Sequence, residues 1–424
     1  MPPSHRAVPD AAPERWYALG VLFGVSVLNT VDKSLVPALA APLQREFQLS
    51  DAEFGLLAGT IFSTAYALAA IPLGLLIDRV ERTRLLAALL GLWSFFTLLG
   101  ARAGSFFELA LCRLGVAAAE SGGNPTSLAL IADYFPPRER GRAVAIFSTN
   151  AALASLFTFS AAGLLAERWG WRGVFMAASI PGFLLAILIL VTLRDPGRRP
   201  NSFQTPTDDA LTPGIRSLLR TLSGQPRLLW ILIGAIFAIA VQAGCGAFIT
   251  AFFVRVHEFS LAQAGIASGL VLSFGFAIGT VAGGFLTDRK PENPQQRAAD
   301  LAARTALLAT PFGLVAFLAP NPSAALAMLF TFQLFASCYY GLSLRLLLDL
   351  SPQSVRGATM TYLTLVLNLG GYGLGPLITG ILSDAAAGQV AEPLRAGLAG
   401  TMLMLPLAAY CFRCASARLA VAAP

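Results

Sequence analysis

Apolar and polar positions alternate along this chain on a long scale. Uninterrupted apolar runs of about 20 residues, each the length of a bilayer-crossing helix, recur near 16–40, 53–77, 85–103, 106–133, 143–165, 173–194, 228–254, 262–287, 302–319, 323–348, 357–383 and 395–414. Twelve helices are expected. The longest polar interruption, 195–227, begins Asp195-Pro196-Gly197-Arg198-Arg199-Pro200 and divides them six and six. Its Pro, Ser, Thr and Arg content reads as a linker, with a short amphipathic helix expected around Ile215–Leu222. The domains expected are thus a tail (1–15), a six-helix bundle (16–194), the linker (195–227), a second six-helix bundle (228–414) and a tail (415–424).

Composition agrees with the pattern. Only 12% of the 424 residues are charged and 56% are hydrophobic, where soluble domains carry about 25% charged residues. Mean hydropathy is +0.67. The net charge of +7 is the basic-loop surplus of a polytopic membrane protein rather than a nucleic-acid footprint. With the N-terminus inside, Arg79, Arg82, Arg84, Arg138, Arg140, Arg142, the linker arginines, Arg289, Lys290, Arg297, Arg304, Arg345, Arg356, Arg413 and Arg418 fall on the cytoplasmic side. Arg45, Arg102, Arg168, Arg172, Arg255 and Arg395 remain outside. Both termini are therefore expected in the cytoplasm, in the inner or plasma membrane. Residues 1–15 are polar and Pro-rich, with no signal-peptide pattern after them. The five cysteines form no CxxC pair and read as small buried hydrophobes. With only His5 and His257 available, a metal site or an enzyme is not expected, nor is any cofactor.

The halves repeat each other. Gly74-x-x-x-Asp78-Arg79 returns as Gly284-x-x-x-Asp288-Arg289. Asp133-x-x-Pro136-x-x-x-Arg140-Gly141 returns as Asp349-x-x-Pro352-x-x-x-Arg356-Gly357. The offsets are 210 and 216 residues. Two motifs at nearly one offset indicate a duplicated six-helix unit, the arrangement of the major facilitator architecture. Gly74 to Arg84 resembles that superfamily's loop G-x-x-x-D-R-x-G-R-R, with Glu81 and Thr83 at the departures. The expectation is an inner gate: glycine for close helix approach, and Asp78, Arg79 and Arg82 for breakable ion pairs. Asp133, Arg140, Asp288, Arg289, Asp349 and Arg356 would complete its charge relays.

Charge inside the apolar runs carries the chemistry. The first run holds Asn29-Thr30-Val31-Asp32-Lys33-Ser34, and the fourth holds Arg113 and Glu120. Seven residues place Arg113 and Glu120 on one helix face, roughly 10 Å apart along the axis. Neighbours such as Asp32 and Lys33 point about 100° apart. Burial and a nearby cation act on a carboxyl in opposite senses, so a balanced Asp32 could exchange protons. Charge at this depth is costly and usually functional, although a static ion-pair network is the alternative. The repeat offers a control: the counterparts of Arg113 and Glu120 are Leu329 and Ala336. The second half contributes Gln242, Gln333, Tyr339, Tyr340 and the flexible stretch Asn368-Leu-Gly-Gly-Tyr372-Gly-Leu-Gly-Pro376 instead.

Asn29-x-x-Asp32-Lys33, the Gly74 loop, Arg113-x-Gly115-x-x-x-x-Glu120-Ser-Gly-Gly-Asn-Pro125 and Asp133-Tyr-Phe-Pro-Pro-Arg-Glu-Arg together resemble the Spinster-like branch of the major facilitators. The resemblance implies a proton-linked transporter of lysophospholipids or sphingolipids, or in bacterial members of organic solutes. It maps the family's proton-sensing aspartate onto Asp32 and its helix-four pair onto Arg113 and Glu120, with Lys33 where arginine is usual. Proton coupling is thus expected from Asp32, Lys33, Arg113 and Glu120. Substrate contacts are expected from Glu120, Arg113, Asn124, Gln242, Tyr340 and Tyr372. The partners expected are a lipid or small organic solute and membrane lipids, without nucleic acid, for a chain working as a monomer. A sugar or small-acid carrier is the alternative, ahead of a channel or receptor. Helix five, near Asn150–Gly163, lacks the Gly-Pro pattern of drug antiporters.

Overall fold

A computed structural model describes residues 12–77, 79–196, 224–288, 293–350 and 356–421. Among them the fold is all helical. The helices are α1 (Ala12–Ala38), α2 (Ala40–Phe47), α3 (Asp51–Ile77), α4 (Arg82–Gly100), α5 (Phe106–Glu120), α6 (Gly123–Tyr134), α7 (Pro137–Ser148) and α8 (Asn150–Thr192). After the linker come α9 (Pro226–Val256), α10 (Leu261–Asp288), α11 (Pro294–Leu318), α12 (Pro322–Leu350), α13 (Arg356–Leu367), α14 (Leu374–Ala386), α15 (Pro393–Met402) and α16 (Met404–Val421). The amphipathic helix expected at 215–222 lies outside the described residues.

Ten helices among the described residues are long and apolar enough to cross a membrane. The two further expected spans are accounted for by local chemistry. Gly170, at φ 65°, is a non-helical joint inside α8, so the fifth and sixth spans follow one another almost without a loop. The fourth span is broken into α5 and α6 rather than running as one helix. Pro125 has no N–H to offer the carbonyl of Ser121 and crowds that turn, and the helix is interrupted at Ser121–Gly122.

The duplication extends to details of the helices. α3 starts on a capping box, Ser50 with Glu53, and α10 starts on another, Ser260 with Gln263. Each pairs a side-chain oxygen with an orphan N–H in both directions. Each helix then widens into a π-helical turn, Leu56–Ile61 in α3 and Val271–Gly275 in α10. A third π turn, Asn368–Gly373, joins α13 to α14 in the glycine-rich stretch.

The described residues form two compact units. One gathers those of Met1–Leu39 and Thr64–Thr205; the other gathers those of Ala40–Ser63 and Pro206–Pro424. In the first, α1 and α4 both pack on α8, and α4 packs on α5. Trp93, Leu22, Leu86 and Leu90 are fully buried there. In the second, α11 packs on α12 and α16, α9 on α16, and α14 on α15 and on the start of α3. Phe248, Phe252, Phe317, Phe332 and Phe412 form its interior.

Glycine sets how closely the helices of the second unit approach. A Cβ on Gly375 would lie 2.2 Å from the backbone oxygen of Ala240, and one on Gly244 would lie 2.2 Å from Thr379 Oγ1. Backbone cannot yield as a flexible side chain does, so Gly375→Ala should cost about 1–3 kcal/mol. The check is the apparent melting temperature of the purified protein beside that of Gly246→Ala, where an added Cβ meets nothing within 4 Å. The sequence assigned this role to Gly74 and Gly284. At both, an added Cβ would meet no described atom within 4 Å, so close approach is not what those two glycines provide.

Candidate functional site

The buried polar groups of the first unit converge from α1, α4, α5 and α6. Asp32 is 4% exposed, Arg113 3% and Glu120 0%. Asp32 Oδ1 accepts a 3.0 Å hydrogen bond from Thr97 Oγ1, and Arg113 donates at 3.1 Å to the backbone carbonyl of Asp32. Glu120 is the last residue of α5, one turn before the break. Neither of its carboxyl oxygens has a hydrogen-bond partner among the described residues. Its electrostatic neighbours are Lys33, Asp32 and Arg113. A carboxyl with no donor at this depth must be neutral, be countered by nearby charge, or meet something the chain itself does not supply.

Asp32 and Lys33 turn to different surroundings. Lys33 Nζ donates to Asn29 Oδ1 at 2.9 Å and stands 4.8 Å from the centre of the Tyr66 ring, within cation–π range. Asn29 also accepts from Asn124 Nδ2 at 3.5 Å, and Asn124 Oδ1 accepts from Ser26 Oγ at 3.2 Å. Thr30 Oγ1 donates to Asn150 Oδ1 at 3.0 Å. A chain of amides thus leads from Lys33 to α6 and α8. The approach depends on the Ser121-Gly122-Gly123 break. A Cβ on Gly122 would meet Leu89 at 2.6 Å, and one on Gly123 would meet the Trp93 ring at 3.1 Å.

In the second unit the expected residues are neutral. Gln242 Nε2 and Gln333 Nε2 both donate to Ser337 Oγ, at 3.4 and 3.3 Å. Tyr340 packs on Phe276 with ring centres 5.6 Å apart. Tyr372 lies exposed on the π turn. Tyr339 is buried and donates to the Ala238 carbonyl at 2.6 Å. No group of three or more metal-binding side chains occurs among the described residues.

The two copies of the inner motif differ in the second structural sense as well. Arg82 is buried against Asp133, whose side chain has no solvent exposure. The backbone N–H of Arg82 donates to Asp195 at 2.8 Å, and Tyr134 donates to the Arg194 carbonyl. Arg140 Nε donates to the Phe135 carbonyl at 3.0 Å, while Arg79 is exposed on the turn after α3. Asp349 has instead a 3.7 Å pair with Arg345 in which both side chains are exposed, an arrangement that contributes little. Asp78 and Arg289 lie outside the described residues, as do the side chains of Asp288 and Arg356.

Sequence reasoning missed Thr97, Tyr66, Asn150 and the acid–base pair of Asp51 with Arg255. Thr97 and Asn150 carry no charge in their apolar runs, so nothing but proximity marks them. Asp51 and Arg255 flank helices 204 residues apart, and each alone reads as an ordinary loop charge.

Residues 21–376 match the family model of the Major Facilitator Superfamily. The chain belongs to that superfamily and is a transporter, an integral membrane protein rather than an enzyme. It is a Spinster-like member. It superposes with a TM-score of 0.85 and 28% identity on a bacterial homolog of the human lysosomal transporter Spinster, in an inward-facing, unoccupied conformation. That match covers 97% of this chain and 98% of the other. A curated relative, an MFS-type efflux pump of Mycolicibacterium smegmatis, is 30% identical over 410 residues, covering 95% of this chain and 93% of its own length. The probable galactarate/D-glucarate transporter GudP of Bacillus subtilis is 27% identical over 301 residues, 65% of each chain.

Proposed function

We propose that this chain is a proton-linked secondary transporter that works by alternating access on an amphipathic anion or zwitterion of the lysophospholipid or sphingolipid class. The observation that carries this reading is the buried set Asp32, Arg113 and Glu120, with both Glu120 oxygens unpartnered. Two acids and a base kept at membrane depth form a set whose net charge changes when one proton enters or leaves. Asp32 is the primary proton acceptor, Arg113 and Glu120 respond to its state, and Lys33 supplies a fixed charge nearby. Arg113, Glu120 and Asn124 from the first unit, and Gln242, Tyr340 and Tyr372 from the second, are the groups proposed to meet substrate. Gly74 with Asp78, Arg79, Arg82, Asp133 and Arg140, and the second set Asp288, Arg289, Asp349 and Arg356, are the proposed inner gates. The excess of arginine in the loops assigned to one side supports cytoplasmic termini and a place in the plasma membrane.

A second reading, a carrier of hydroxylated organic acids, is favoured by relatives named for galactarate and glucarate. Thermal unfolding in nanodiscs with lysophosphatidylcholine, sphingosine phosphate or galactarate separates the two. A true ligand at 100 times its Kd stabilises the folded chain by about 2.7 kcal/mol. A rise in melting temperature with the lysolipids and none with galactarate is the expected result. The reverse pattern would favour the second reading.

A further inference from the structure

A dense polar cluster lies in the second unit, away from the charges just described. Asp51, the first residue of α3, is 7% exposed. Its carboxylate accepts hydrogen bonds from Gln44 Nε2 at 2.7 Å, Arg255 NH1 at 2.8 Å and Ser383 Oγ at 2.6 Å. Arg255 also donates to Gln44 Oε1. Asp384, on α14, accepts from the backbone N–H groups of Asp51 at 3.0 Å and Ala52 at 2.9 Å. It therefore caps α3 from another helix, adding negative charge at the positive end of the helix dipole.

Below this cluster the contact between α3 and α14 is nearly all backbone. A Cβ on Gly380 would lie 2.1 Å from the Asp51 oxygen, one on Gly55 2.3 Å from the Pro376 oxygen, and one on Gly59 2.7 Å from the Gly373 oxygen. Thr60 Oγ1 donates to the same Gly373 carbonyl at 2.8 Å. α3 then runs on as one helix to Ile77, and its residues from Thr64 belong to the first unit. Permanent helix contacts are held by large apolar side chains that exclude water. Here small residues give little apolar area, and the strong contacts are charged groups at a helix end, which regain hydration when they part.

We infer that Asp51, Arg255, Gln44, Ser383 and Asp384 form a releasable latch that holds the start of α3 on α14 in one state of the transport cycle and lets go in the other. The inference rests on the alternating-access reading above. The latch assigns a conformational role to Arg255, which basic-residue counting treats only as an outer-loop charge.

The test uses the reactivity of a cysteine at Thr60, under the latch. Thr60→Cys in the full chain is exposed to a membrane-impermeant maleimide in intact cells, and labelling is counted against the parent with its five native cysteines. Asp51→Asn and Arg255→Gln should each speed labelling about tenfold, and the double variant should be no faster than either single one. Ser383→Ala, a milder change, should act in the same direction. Unchanged labelling in Asp51→Asn and Arg255→Gln, or additive effects in the double variant, would overturn the latch. Proton-linked uptake measured on the same preparations keeps the two ideas apart. Uptake that persists while labelling is unmoved removes the latch and leaves the transport reading. A latch response in a parent without proton-linked uptake supports the latch and removes the proton coupling.

Discussion

Asp32→Asn should abolish the pH dependence of transport in proteoliposomes. An asparagine keeps the size of the side chain and can still accept from Thr97, whose hydroxyl lies 3.0 Å from Asp32 Oδ1. What it loses is the ability to gain and lose a proton. Downhill exchange of substrate should survive, whereas accumulation driven by an imposed pH gradient should fall to the level of empty vesicles. Glu120→Gln gives the internal comparison, because its carboxyl shares the same neighbours but has no hydrogen bond to keep. Gradient-driven uptake that is unchanged in Asp32→Asn would remove Asp32 from the coupling.

The largest stability effect is expected at Arg82. Its guanidinium is buried against an Asp133 side chain with no solvent exposure. Arg82→Met leaves that carboxylate in a low-dielectric site without its cation. Removing one partner of a buried pair costs about 3–5 kcal/mol, whereas replacing both by apolar groups of similar volume is often close to neutral. The double variant Arg82→Met/Asp133→Leu should therefore melt well above Arg82→Met alone. Equal melting temperatures for the single and double variants would mean that the pair contributes packing and not charge compensation. The equivalent change at Arg345, whose pair with Asp349 is exposed, should be within about 0.5 kcal/mol of neutral.

The sequence carried the architecture because the information is long-range and redundant. Twelve apolar runs, one linker and two motifs at offsets of 210 and 216 residues each point to the same pair of six-helix units. The Spinster-like resemblance rested on Asp32, Arg113 and Glu120, and charge in an apolar run is visible without any structure. What could not be read was how the chain departs from ideal helices. The π turn at Leu56–Ile61 leaves no compositional mark, because Leu, Ala, Gly, Thr and Ile serve ordinary helices as well. The break at Ser121–Gly122 was written in Pro125, four residues on, but the strength of the apolar run concealed it. Thr97 and Tyr66 are uncharged, so only the fold reveals what they touch. Gly74 illustrates the opposite error: a glycine in a motif was assigned to close packing, and the space around it is open.

The repeated helices share caps and π turns, yet only the first unit holds charge at mid-depth, and the fused backbone contacts gather in the second. Tolerance of change is therefore divided unequally along the gene. In the first half the intolerant positions are scattered polar codons, Asp32, Arg113 and Glu120, where even a size-matched replacement removes an ionic state. In the second half they are glycine codons, Gly244, Gly375 and Gly380, where a single methyl is already too much. The two copies of one ancestral unit have thus come under different selective rules, one chemical and one geometric.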